Sequence, residues 1–199
     1  MDQPMKTNML YPVFFKLNKL NMLIVGAGEV GFEKLRFILK SSPNANITVI
    51  ATEQKPELVD LVESHIDRIR LIKRKFKSDD IVGHDLIISA TDIPEVNLLV
   101  HQAAKYHGKL INVADTPDLC DFYLGSIVTR GDLKVAISTN GKSPTFAKRF
   151  RQVLEEILPH DTNQLLLNLK IIRDQLKGGF EYKVKELNRL TKTLVNQEN

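Results

Sequence analysis

The feature that most constrains this chain is a single junction. The apolar run Met22-Leu23-Ile24-Val25 passes directly into Gly26-Ala27-Gly28-Glu29-Val30-Gly31, and a helical pattern follows at once. Four large apolar residues without alternation suit a strand buried on both faces. Val30, Lys34, Phe37 and Ile38 then recur at helical spacing, and Pro43-Asn44 stops the helix. A chain that turns from a buried strand into a helix packed on it needs glycine at set places. Gly26 serves the tight turn, Gly28 the approach of a diphosphate to the backbone, and Gly31 the packing of helix against strand. The amides and partial positive charge of a helix start attract phosphate. The G-x-G-x-x-G spacing therefore points to dinucleotide binding through Gly26, Gly28, Glu29, Val30 and Gly31.

The acid that holds an adenosine ribose belongs about 20 residues further on, at the end of the second strand. Ile50 and Ala51 cannot serve, and Thr52 and Glu53 are the candidates. No arginine stands there to meet a 2′-phosphate, which favours NAD over NADP.

The pattern continues as alternating strands and helices. Strands are expected at Ile47–Ile50, Ile69–Ile72, Leu86–Ala90 and Leu110–Val113. Leu58, Leu61 and Val62 mark a short helix, and Val96–Tyr106 a longer one. This is the α/β pattern of a Rossmann-type parallel sheet, assigned to residues 1–113. After Asp115 the texture changes. Ser126–Thr129 and Leu133–Ser138 flank Arg130-Gly131-Asp132 as a hairpin. Ser143 and Pro144 open a helix that runs to Leu158. Asp161–Lys177 and Phe180–Val195 follow, broken by Gly178-Gly179. Residues 114–145 therefore read as a small β-rich dimerisation segment and 146–199 as a helical C-terminal region. A hairpin with one helix buries too little core alone. Ile127, Val135, Ile137, Phe146, Phe150 and Leu154 then need a second subunit, which predicts a homodimer.

Composition removes other classes. Hydrophobic residues at 43% and charged residues at 26% are ordinary for a folded globular domain. No apolar run approaches the roughly 20 residues of a membrane span. The start, MDQPMKTNMLYPVFF, lacks a secretory pattern, and Cys120 is the single cysteine, which excludes an intrachain disulfide. A cytoplasmic home is the expectation. Cys120 reads as an inert small hydrophobe. The five histidines lack metal-ligand spacing, so no metal site is expected. The net charge of +4 falls on residues 141–199, which suggests a polyanionic partner, either a nucleic acid or a molecule with many carboxylates. No nucleic-acid reading motif or aromatic stacking platform accompanies it, so nucleic acid is not expected. A hydrolase has no support, because no G-x-S-x-G motif is present.

Three further spots carry chemistry. Thr91 and Asp92 follow a strand end, where open α/β sheets bind ligands, and Asn97 is early in the next helix. They read as nicotinamide-side contacts or as a helix start before Pro94. Asp115 follows the last parallel strand, either as a proton acceptor or a metal ligand, or as a turn residue. Asp118 and Asp121 are its rivals. In Ser138-Thr139-Asn140-Gly141-Lys142-Ser143-Pro144, Lys142 and Ser143 could hold a carboxylate or simply cap the helix.

Four blocks together resemble the precorrin-2 dehydrogenase / sirohydrochlorin ferrochelatase family, the siroheme-forming enzymes. They are LIVGAGEVGFEKL (23–35), ISATDIPEVN (88–97), NVADTPDLCDFYLGSIVTRGDLKVAISTNGKSP (112–144) and AKRFRQVLEEILP (147–159). The third is the most diagnostic, since Rossmann domains in general lack it. The chain departs from the family's common residues at Gly31 (often Ala), Glu33-Lys34 (often Arg-Lys) and Gly125 (often Pro). Larger members carry a fused methyltransferase, and this chain is similar to the short stand-alone form. The resemblance implies NAD-dependent oxidation of precorrin-2 to sirohydrochlorin, with Asp115 catalytic and Fe²⁺ insertion as a second activity. Thr139 matches a position that is a modifiable serine in some relatives. An eight-carboxylate substrate gives Arg130, Lys134, Lys142, Lys148, Arg149 and Arg151 a role. The competing reading is a non-catalytic NAD-sensing regulatory module, which shares the layout but not the 112–144 block.

Overall fold

The computed structural model describes residues 7–192. Five strands, β1 (Asn21–Val25), β2 (Asn46–Ala51), β3 (Ile69–Lys73), β4 (Leu86–Ser89) and β5 (Leu110–Val113), form a parallel sheet in the order β3-β2-β1-β4-β5. Helices α1 (Glu29–Ser41), α2 (Pro56–Glu63) and α3 (Pro94–Tyr106) make the crossovers, and α2 and α3 each begin on proline.

Alternate residues of each strand face opposite layers. Met22 and Ile24 join Ile47, Val49 and Ile88 under Leu35, Ile38 and Leu39 of α1 and Leu58 of α2. Leu23, Val25, Ile50, Ile87 and Ile111 pack on the other face against Val100, Ala103 and Ala104 of α3. Continuous apolar strands are therefore required, because neither face of the central strands meets water. The expected strands are all present. One detail of α1 is corrected. Its inward face is Gly31, Leu35, Ile38 and Leu39, whereas Val30, Lys34 and Phe37 are only partly covered. Glycine does not register in an apolar pattern, yet a Cβ on Gly31 would lie 2.2 Å from the carbonyl oxygen of Gly26. Close packing puts Gly31 inside and turns the helix accordingly.

The chain divides into two compact units. The first comprises residues up to Gly125 together with Ser138–Pro144, and the second Ser126–Ile137 with the residues from Thr145 on. The second unit holds a hairpin of β6 (Ser126–Arg130) and β7 (Leu133–Ile137), most of α4 (Pro144–Ile157), and α5 (Thr162–Gln175) and α6 (Phe180–Leu190). The hairpin joins the helices because two strands alone cannot hold a core. Arg130 pairs with Leu133, so its loop is Gly131-Asp132, with Gly131 at φ 57°. Asp132 N–H donates to Asn163 Oδ1 of α5 at 3.0 Å, which ties the loop to the helices. The last helix ends at Leu190, with Thr191 as its cap, and residues 193–195 of its expected span lie outside the described residues.

Candidate functional site

The first unit gathers its loops at one end of the sheet. The ladders of β1, β4 and β5 run one residue into the loops that follow. Gly26 N–H donates to Ile50 O at 2.9 Å, Ala90 N–H to Val25 O at 2.8 Å, and Ala114 N–H to Ser89 O at 2.8 Å. The loops after β1, β2, β4 and β5 thus leave the sheet on neighbouring rungs. The crossovers from β1 and β4 diverge to opposite sides there, which opens a crevice at the carboxyl ends of the strands.

The glycine loop has the shape its sequence implied. Gly26 has φ 109°, and a Cβ on it would sit 2.3 Å from Ala90 O. Gly28 has open space around its Cβ position, with nothing within 4 Å, and caps α1 in an extended conformation. The first α1 amides carry no helical bond, so the start of α1 presents donors beside an unfilled cradle. That geometry fits a diphosphate. Glu29 and Val30 form the first turn of α1, Glu29 exposed and Val30 half-buried.

After β2, Ala51 is buried and Thr52 and Glu53 are exposed. The loop then returns to the glycine turn through Lys55, whose N–H donates to Ala27 O at 3.0 Å. Its ammonium lies 2.5 Å from Glu29 Oε1, 3.7 Å from Glu57 Oε1 and 5.2 Å from the Phe32 ring centre. The hydrogen bond to Glu29 raises the Lys55 pKa above its ordinary value, against the opposing effect of burial. Sequence reading did not single out Lys55, because its partner is 26 positions away. Its only sequence signal is that it closely follows Thr52 and Glu53 and precedes Pro56. Arg74, past the end of β3, is bound on both guanidinium nitrogens to Asp80 at 2.7 Å. The Arg74 guanidinium, helped by the Lys77 amide and opposed by burial, holds the Asp80 carboxyl below the usual aspartate value.

After β4 a buried network shapes the loop. Asn97 Oδ1 accepts from Ser89 Oγ at 2.8 Å and Thr91 Oγ1 at 2.7 Å, and Asn97 Nδ2 donates to Thr91 O at 2.9 Å. Asn97 is 9% exposed, and these bonds fix the Thr91 turn. Thr91 is half-buried and Asp92 exposed at the rim.

After β5 comes Asp115, exposed and at φ 57°, a left-handed conformation that aspartate tolerates better than most residues. None of the described residues hydrogen-bonds its carboxylate. The chain then folds back along β5. The Cys120 thiol accepts from Val113 N–H at 3.2 Å, and Asp121 accepts from Ile111 N–H at 3.1 Å and Lys105 Nζ at 2.7 Å. Burial pushes the Asp121 carboxyl up, and the Lys105 and Ile111 donors outweigh it, leaving the pKa lowered. Asp121 is thus a structural carboxylate. Asp118 is exposed in a short 3-10 turn, Pro117–Leu119. Burial raises the Cys120 pKa, so the thiol stays protonated.

The 138–144 segment belongs to the first unit. Asn140 and Gly141 are both left-handed, at φ 52° and 74°, and Ser143 N–H donates to Thr139 Oγ1 at 3.1 Å. Lys142 is exposed. In the second unit, Arg130 donates to the Glu155 backbone carbonyl at 2.5 Å, capping the end of α4, and its Nε is buried with no partner among the described residues. A cleft of about 750 Å³ lies at the opposite, amino end of the strands, lined by Asn21, Asn46, Arg68, Arg70 and His84. It shares no residue with the glycine-loop crevice. Among the described residues, no helix is long and apolar enough to cross a membrane.

Comparison with known proteins agrees with this geometry. Residues 13–126 match a family model described as putative NAD(P)-binding, and residues 130–157 match the sirohaem biosynthesis protein central model. A siroheme synthase of Methylococcus capsulatus is 43% identical over 148 residues, covering 74% of this chain and 30% of that protein. A siroheme synthase of Vesicomyosocius okutanii is 36% identical over 169 residues, covering 85% of this chain and 35% of that one. The chain thus spans about a third of the length of these curated relatives. The solved structure of SirC, a precorrin-2 dehydrogenase, superposes with a TM-score of 0.72 at 25% identity, covering 91% of this chain and 89% of that one. With a glycine-loop crevice, the 112–144 block and these matches together, the chain belongs to the precorrin-2 dehydrogenase and siroheme synthase family.

Proposed function

We propose that this chain oxidises precorrin-2 to sirohydrochlorin with NAD⁺, releasing NADH and a proton. The observation that carries the reading is the convergence of the Gly26–Gly31 loop, the Thr91 turn and the left-handed Asp115 turn on one crevice. Bound NAD⁺ supplies the hydride acceptor. Gly28 leaves room for the diphosphate, and the first amides of α1 hold it. Thr52 and Glu53 take the adenosine ribose, which disfavours a 2′-phosphate. Thr91 and Asp92 line the nicotinamide side, with Asn97 holding the Thr91 turn rigid. Asp115, exposed and unencumbered, takes up the proton that leaves the substrate. Lys142 and the Ser143 region bind substrate carboxylates.

The molecule works as a homodimer in this reading. Phe146, Phe150, Val153 and Ile157 form an apolar stripe along α4, at 59%, 43%, 47% and 65% exposure. A second copy is the natural cover for such a stripe. The working compartment is the cytoplasm, in keeping with a single, unbridged cysteine.

The test is anaerobic incubation with precorrin-2 and NAD⁺, following NADH formation and the change in tetrapyrrole absorbance together. Stoichiometric appearance of both supports the reading. Binding of NADH without turnover would favour a regulatory module instead. Adding Fe²⁺ at the end of the run tests metal insertion separately.

A further inference from the structure

We propose that Lys55 is a positioning residue for the dinucleotide, acting by neutralising Glu29 at the mouth of the glycine loop. The inference rests on the dinucleotide reading of that loop. Glu29 is the first residue of α1, so its carboxylate stands beside the amides that receive the diphosphate. A carboxylate there stabilises the helix by facing its positive end. The same position makes it a competitor and a repeller of any anion bound at that end. The structure answers this charge from a distant segment. Lys55 reaches across from the β2–α2 loop, its backbone bonded to Ala27 O at 3.0 Å and its ammonium 2.5 Å from Glu29 Oε1.

Several contacts hold the ammonium in place. Phe32, one turn further along α1, supports it with its ring centre 5.2 Å from Nζ. Glu57 adds a second carboxylate at 3.7 Å. The Lys55 side chain is only 22% exposed, whereas that of Glu29 is 80% exposed. The lysine is thus the fixed member of the pair and the glutamate the freer one. When a diphosphate arrives, the paired Glu29 presents little net charge. Without Lys55 a bare carboxylate would face two phosphates at the edge of solvent. Repulsion of that kind, partly screened by water, costs about three- to tenfold in affinity.

The test is a mutant cycle read by NADH fluorescence titration and steady-state kinetics. Lys55→Gln is expected to weaken NADH binding and raise KM for NAD⁺ by about three- to tenfold, with kcat unchanged. Glu29→Gln alone, which keeps the backbone amide and removes only the repelling charge, should bind NADH more tightly than wild type. The double variant Glu29→Gln/Lys55→Gln should return to within about twofold of wild type, because the charge to be neutralised is gone. Lys55→Arg should also hold near wild type. High salt should shrink the Lys55→Gln deficit, which lost packing alone would not do. Wild-type affinity in Lys55→Gln overturns the proposal. So does a double variant as weak as Lys55→Gln, since Lys55 would then be acting on the cofactor directly or through packing. Failure of the wild-type chain to bind NADH would overturn the dinucleotide reading itself, a separate outcome visible before any variant is made.

Discussion

Two glycines two positions apart should respond in opposite ways to the same methyl group. Gly26 has φ 109°, and its new Cβ would meet Ala90 O at 2.3 Å and Ala90 C at 2.6 Å, both backbone atoms. The strained conformation costs about 1–3 kcal/mol. Ordinary contact begins near 3.4 Å, so the β4 end must retreat by about an ångström, at about 1–3 kcal/mol more. The sum, about 2–6 kcal/mol, is a large part of a typical total of 5–15. At about 2–4 °C per kcal/mol, Gly26→Ala should melt at least about 4 °C lower. Gly28 has φ −79° and ψ −161°, with nothing within 4 Å of its Cβ position. Alanine fits there without strain and should leave stability unchanged or raise it by about 0.4–1 kcal/mol. Its methyl group would instead fill the cradle meant for the diphosphate. Affinity should fall by tenfold or more, about 1.4 kcal/mol. Circular dichroism melts give the first quantity. NADH titration gives the second, with no tryptophan emission to interfere. Wild-type NADH affinity in Gly28→Ala would show that no diphosphate lies over Gly28. An unchanged melt in Gly26→Ala would show that the turn is not the one described.

Asp115→Asn should lower turnover by about 10²–10⁴-fold while NADH affinity stays within twofold, since asparagine also tolerates the left-handed backbone; wild-type turnover would reduce Asp115 to a turn residue. NAD⁺ should be used better than NADP⁺, and Glu53→Ala should narrow the gap; equal kcat/KM for the two cofactors in the wild-type chain would move the ribose contact elsewhere. Light scattering should give twice the chain mass, and Phe150→Asp on the α4 stripe should halve it; a wild-type monomer at micromolar concentration would remove the dimer. Asp80→Asn should destabilise the protein at pH 7, because a carboxyl held below its usual pKa contributes stability above about pH 4–5 and loses it as pH falls through the folded value. Urea melts of the two proteins should therefore converge towards pH 3; a gap that stays constant with pH would exclude the Arg74 pair as its source.

What could be read from the sequence was what local physics dictates. The runs 22–25, 47–50, 86–90 and 110–113 stand out because a doubly covered parallel sheet demands apolar side chains on both faces. The glycine loop was legible because three steric demands fall within six residues. The α1 face was misread by one position, since Gly31 is inside for its lack of a side chain. Other features depended on partners far along the chain. The Lys55–Glu29 pair spans 26 positions, and the bond from Arg130 to Glu155 spans 25. Neither residue's surroundings announce the partner, so neither contact is legible in the sequence. Asp121 reads from the sequence as a loop residue, and only the return of the chain along β5 gives it Lys105 and the Ile111 amide.

The route of the chain between its two compact units bears on how the molecule can be taken apart. It leaves the first unit after Gly125, comes back at Ser138, and leaves again after Pro144. Three covalent threads therefore join the units, where a single linker would join beads on a string. One protease nick in any thread leaves the other two intact, so limited digestion should yield a nicked but undivided particle. Truncation at Gly125 would not isolate a whole nucleotide-binding unit, because the Ser138–Pro144 piece would be missing from it. Grafting this module into another protein calls for carrying both units, since neither is contiguous in sequence.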